Sequence, residues 1–163
     1  MDLNKQFLTA LETLRAKVDD WRERDNNEST FAVEAGPPTK EHTINAAPDV
    51  VAGDDIIFLR RKWERRAINR YGKLSNVVVG YEIIEGHVER ESYGPDKQQH
   101  TFSVRSSDVA LTLIKGRNLY AIGVWRKPWA DESVRLNAAQ EKHERGDRAR
   151  NARYIRRSEM GAC

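Results

Sequence analysis

The sequence predicts an α+β fold: an antiparallel sheet of three to four strands flanked by helices, with a separate amphipathic helix at the N-terminus. Three observations carry that expectation. An apolar stripe with helical spacing occupies residues 2–24, runs rich in β-branched and aromatic residues fill the middle of the chain, and a polar segment of helical composition follows Pro128. A chain of 163 residues can bury one core of ordinary size and is short for two independent domains.

In the first helix Leu3, Phe7, Leu11, Leu14, Val18 and Trp21 are spaced 4, 4, 3, 4 and 3, a nearly heptad rhythm. Such a stripe has to cover an apolar surface, either in its own domain or in another chain. Residues 2–24 are therefore a candidate interaction helix for a homo-oligomer or a protein partner. From 25 to 53 the periodicity stops and Pro37, Pro38 and Pro48 appear among acidic and small residues, the composition of a linker. Asp54 and Asp55 then suit N-capping of a helix that runs to Tyr71 and stops at Gly72. Its buried stripe would be Ile56, Leu59, Trp63, Ala67 and Tyr71, with Arg61, Lys62 and Arg65 on the far side, Arg66 beside them, and Arg60 and Arg70 at the margins. The short apolar run IIFL also fits a strand, and the helix is the reading taken here.

NVVVGYEII (76–84), HTFSVR (100–105), VALTLI (109–114) and NLYAIGVW (118–125) read as strands, and KGRN between the last two as a hairpin turn. Asp131 to Ser158 reads as a helix broken at Gly146. The predicted organisation is thus an interaction helix (1–24), an acidic linker (25–53), an α+β core (54–145) and an arginine-rich helical arm (146–163).

Charge points to a class of ligand. Residues 1–55 carry net −6 and residues 56–163 net +9, so the total of +3 conceals an acidic front and a basic body. The stretch 58–73 holds five arginines and two lysines against one glutamate. Arginine forks onto phosphate and stacks on bases, and each neutralised phosphate releases counterions. Arg145, Arg148, Arg150, Arg153, Arg156 and Arg157 form a second cluster, in a segment with too little apolar surface to fold firmly unless a partner orders it. The expected partner is nucleic acid, RNA before DNA, gripped through a basic helix and an arginine-rich arm. The second reading is a structural or adaptor component of a larger viral or ribonucleoprotein assembly, in which the first helix threads into neighbours. No apolar run reaches the roughly 20 residues of a membrane span, and the first residues lack the apolar centre of a secretory signal, so a soluble, intracellular and cytoplasmic protein is expected.

YGPDKQQHTFSV (93–104), followed by a helix containing NAAQ (137–140), resembles the double-stranded RNA-binding domain over about residues 93–143. In that family a Gly-Pro-x-His turn enters the second strand ahead of a Phe. The resemblance implies that the first helix of the core and the loop from Gly94 to His100 reach two minor grooves while Arg126 and Lys127 hold the intervening phosphates.

Sequence features of enzymes are sparse. On a strand, His87, Glu89 and Glu91 of HVERE would share one side, with His100 opposite, a set able to bind a divalent ion in a metal-dependent nuclease, although a polar strand edge beside a turn is the commoner explanation. There is no phosphate-binding glycine loop and no nucleophile elbow, and the reading requires neither catalysis nor a cofactor. Phe102, Tyr120, Trp125 and Trp129 are placed in the core, with base stacking as their alternative role. Cys163, the single cysteine, excludes an internal disulfide and a thiolate zinc cluster within these residues and reads as an exposed thiol.

Overall fold

The computed structural model describes residues 3–24, 35–67, 72, 74–92, 100–106 and 111–160. Its elements in order are α1 (Leu3–Glu23), β1 (Ile44–Asn45), β2 (Asp55–Ala67), β3 (Leu74–Ser92), β4 (Thr101–Arg105), β5 (Thr112–Lys115), α2 (Gly116–Leu119), β6 (Val124–Arg126) and α3 (Glu132–Met160). The strands form one curled antiparallel sheet in the order β1-β6-β2-β3-β4-β5, larger than the three to four strands expected.

The main correction concerns residues 54–71, predicted as a helix: Asp55–Ala67 folds as β2, and residues 68–71 lie outside the described set. Ile56 and Phe58 enter one apolar cluster, with Val88, Phe102, Val104, Ile114 and Val124. Ile57 and Leu59 enter another on the opposite face, with Trp125 and Ile122. A strand buried on both faces has an uninterrupted apolar sequence, and over four residues that pattern is indistinguishable from a helical stripe. The basic helix is consequently a basic strand.

Three further differences have local causes. NVVVGYEII and HVERE belong to one 19-residue strand, which passes through Gly86 because a Cβ there would stand 2.6 Å from the Arg105 carbonyl oxygen. KGRN is not a hairpin turn. It begins α2, where the Gly116 N–H donates to the His100 carbonyl at 2.8 Å, and the chain then crosses the sheet so that β6 pairs with β2 and β1. Within 25–53, residues 25–34 lie outside the described set, but Ala35, His42, Ala46, Val50 and Val51 are buried in the body, so this part of the chain does not behave as a linker.

α1 covers the first cluster, with Leu14, Val18 and Trp21 each 2% exposed against Ile57, Leu59 and Trp125. That half of the stripe packs on its own sheet. The side chains of Leu3, Phe7 and Leu11 lie outside the described residues. On the opposite side α3 runs unbroken through Gly146, and its buried stripe, Arg135, Ala139, Lys142 and Gly146, is largely polar. Polar groups of the body satisfy it. Arg135 Nε donates to Asp54 Oδ1 at 2.8 Å, and its Nη2 to the Asp49 carbonyl at 2.6 Å. Lys142 Nζ donates to the Val50 carbonyl at 2.8 Å and lies 5.9 Å from the centre of the Phe102 ring. Burial lowers the Lys142 pKa, and its acidic neighbours Glu91 and Asp49 act against that shift.

Asp54 is fully buried. Its carboxylate also accepts the Val51 N–H at 2.9 Å and the Trp129 indole N–H at 2.9 Å. Gly53, at φ +96°, leaves the space that the Trp129 ring occupies, since a Cβ there would come within 2.8 Å of it. Arg135→Ala would strand this carboxylate without its cation, and we expect a loss of about 3 to 5 kcal/mol in urea unfolding. Trp21→Ala should lose about 3 to 5 kcal/mol as a core truncation. Trp63→Ala, which removes one cross-strand pair on an exposed face, should lose about 1 kcal/mol or less in the same measurement.

Candidate nucleic-acid interface

β6 pairs with β2 only as far as Phe58, and β4 pairs with β3 only from His87 onward. Between these limits and Ala67, β2 and β3 continue past the sheet as a two-stranded ribbon. From Arg60 to Ala67 it spans about 25 Å at the usual rise per residue. A bulge between Lys62 and Trp63 leaves Val79 as the extra residue of β3.

The strand period divides the side chains. Arg61, Trp63 and Arg65 share one face, opposite Tyr81, Val78 and Asn76, while Arg60, Lys62, Glu64 and Arg66 share the other, opposite Glu82, Gly80, Val77 and Ser75. Arg60 Nε donates to Glu82 at 2.9 Å, and Arg66 Nη2 lies 2.7 Å from Glu64. Among the described residues no hydrogen bond or ion pair holds Lys62 or Arg65. The ribbon thus carries five basic residues and two acidic ones across 60–67 and 74–82. Arg70 lies outside the described residues.

At the base of the ribbon a groove of about 430 Å³ opens between β2 and residues 118–122, lined by Arg60, Arg61, Lys62, Trp63, Asn118 and Ile122 among others. Trp63, expected in the core, is 55% exposed. Once the segment is a strand, Arg61, Trp63 and Arg65 are recognisable as a period-2 pattern, which the helical reading hid.

The other basic residues divide into two groups. Arg126 is buried, and its guanidinium donates to both oxygens of Glu132 at 2.7 and 2.8 Å. That pairing holds Glu132 down at about 2. Lys127 lies 2.7 Å from Glu41 and 3.4 Å from Glu85. Burial acts to lower the Lys127 pKa, but the two carboxylates outweigh it and raise the value. His100 Nε2 is 3.3 Å from Glu91, and its ring lies 4.2 Å from that of Phe102. Arg145 donates to the same Glu91 at 2.6 Å. These four residues hold the body together. Beyond Gly146 the buried stripe of α3 ends, and Arg148, Arg150, Arg156 and Arg157 are exposed along it, with Arg153 half-buried. Arg148 lies 4.0 Å from Glu144, and Arg150 pairs with Asp147.

HVERE is dispersed. His87 pairs with Asp55 at 2.7 Å and Glu89 with Arg105, whereas Glu91 is 4% exposed beneath Arg145. The strand is bulged between Val88 and Arg90, so the expected alternation is lost at Glu89. Among the described residues no group of three His, Cys, Asp or Glu could hold a metal ion. Of the core aromatics, Phe102 and Trp125 are buried, while Tyr120 and Trp129 are half-buried, with the Tyr120 hydroxyl accepting the Val50 N–H at 3.3 Å. No described helix is long and apolar enough to cross a membrane.

A family model described as a domain of unknown function (DUF7699) matches residues 51–129, which run from the turn before β2 to Trp129. The chain is also similar to zinc finger CCCH domain-containing protein 62 of Oryza sativa subsp. japonica, at 35% identity over 128 residues, 73% of this chain and 18% of that protein. It therefore spans less than a fifth of the length of this curated relative. With one cysteine, these 163 residues cannot furnish the three thiolates of a Cys3His zinc site. No solved structure gives a significant match.

His42 links this frame to pH. It is 1% exposed, with Nδ1 3.0 Å from Thr39 Oγ1 and Nε2 3.6 Å from Glu85. Burial and the neighbouring Lys127 push it down to about 4. The native state therefore binds this proton less well than the unfolded chain, whose histidine titrates near 6.5. The stability contributed by neutral His42 is fully present above about pH 6.5 and is lost as pH falls through about 4. Thermal unfolding midpoints should fall across that window. In His42→Asn, which has no titrating ring, the same pH series should be markedly flatter.

Proposed function

We propose that the protein binds nucleic acid, RNA before DNA, through the basic ribbon of β2 and β3, with the exposed arginines of α3 beyond Gly146 as a second contact. The observation that carries this reading is the separation of the cations into two populations. Arg126, Arg135, Lys142 and Arg145 are committed to internal acceptors, whereas Lys62 and Arg65 project from a ribbon that extends beyond the sheet. Arginine along a two-stranded ribbon supplies bidentate phosphate contacts. The arginine-rich half of α3 favours RNA, for which such segments are a common recognition element. Zinc-finger modules are among the motifs of nucleic-acid-binding proteins, and the rice relative named for one supports the same setting.

Exchanging Arg61, Lys62 and Arg65 together for Gln should weaken binding of a labelled RNA at least tenfold. It should also reduce the slope of log K against log salt by about 2 to 3, the contribution of three phosphates. Folding should change little, because each substitution is at the surface and costs under about 0.5 kcal/mol. Fluorescence anisotropy at two salt concentrations, with DNA of the same sequence as competitor, measures both quantities. Unchanged affinity and slope in the triple variant would remove the ribbon from the interface.

A further inference from the structure

We propose that the ribbon receives single-stranded RNA, with an unpaired base stacked on Trp63 in the groove between β2 and residues 118–122. This rests on the nucleic-acid reading and specifies the form of the ligand.

Three features define the site. Trp63 is a large aromatic ring that the core leaves 55% exposed, and it stands on the ribbon between Arg61 and Arg65 of the same face. Neighbours at i±2 on a strand lie about 6.6 Å apart along it, so both guanidinium groups are placed to meet the backbone on either side of a nucleotide whose base covers the ring. The groove of about 430 Å³ has Ala121 and Ile122 as an apolar wall and the exposed Asn118 beside them. That volume lies in the range of small-ligand sites. An asparagine amide supplies both donors and an acceptor, the groups needed to meet the edge of a base.

Charge alone would make the ribbon indifferent to strandedness. The ring is what discriminates. In a duplex each base face is covered by its neighbours, and a side chain can stack only on a base that is unpaired or displaced. Stacking on an aromatic side chain tolerates any base, so the site selects for single strands and only weakly for sequence.

The test uses the full chain and four probes of equal length: a mixed-sequence single-stranded RNA, its RNA duplex, the corresponding single-stranded DNA, and an oligomer of abasic nucleotides. The native protein should bind the single-stranded RNA more tightly than the duplex, and its tryptophan fluorescence should be quenched on binding. Trp63→Leu should weaken single-stranded RNA binding by about 5- to 100-fold with the salt slope unchanged, and should leave abasic binding unaltered. Trp63→Phe should retain most of the affinity, and thermal melts should show both variants folded. Tight duplex binding by the native protein, native-like single-strand affinity in Trp63→Leu, or an equal loss on the abasic probe would each overturn the stacking site. Failure of the charge-stripped ribbon to lose affinity would instead overturn the nucleic-acid reading beneath it.

Discussion

The buried carboxylate of Asp54 is the constraint on which the rest of the molecule depends. Asp54 immediately precedes β2 and takes the Val51 N–H, the Trp129 indole and the Arg135 guanidinium. Its own loop, 48–54, and a stretch 75 to 81 residues later that runs from the segment after β6 into the start of α3 are thereby fixed to one residue. A fully desolvated ion pair contributes little net stability compared with an apolar contact of the same shape. Its effect is geometric, because a buried carboxylate tolerates few arrangements of its donors. That geometry sets where β2 begins and so where its free end leaves the sheet.

The same logic explains the charge asymmetry of the sequence. The acidic residues between 41 and 55 serve as counterions to the basic body: Glu41 faces Lys127, Asp49 faces Lys142, and Asp54 faces Arg135. Much of the positive charge downstream is neutralised within the fold. Positive charge remains outward where the acidic front does not reach, on the ribbon and on the second half of α3. Net charge by segment was therefore a poorer guide to the interface than the placement of each acid.

What could be read in advance followed from how far in sequence the deciding contact lies. The stripe of α1 is local, and Leu14, Val18 and Trp21 occupy the core as their spacing requires. NVVVGYEII and HTFSVR were recognisable as strands because β-branched and aromatic residues dominate them, whereas NLYAIGVW is helical at Asn118 and Leu119 and a strand only from Val124. IIFL was not, since burial on both faces erases the alternation that marks a strand. Glu91 was placed beside His87 and Glu89 because nothing in HVERE announces a bulge. Arg126 read as a phosphate contact because its partner, Glu132, becomes adjacent only when the chain turns after Trp129 and α3 starts at Glu132. The polar stripe of Arg135 and Lys142 is legible only after the loop carbonyls and carboxylate that it satisfies are in place.

The ribbon has one further property. Among the described residues no strand pairs with either edge of the ribbon beyond Phe58 and His87, and open edges are the arrangement by which β-proteins adhere to copies of themselves. The arginines, the lysine and the bulge at Val79 guard against that, since like charges repel at close range and a bulge spoils the flat register that lateral pairing needs. The side chains proposed to meet the ligand are thus also ones that oppose lateral pairing of the ribbon. A substitution that strips charge from the ribbon would therefore weaken that protection together with the proposed binding.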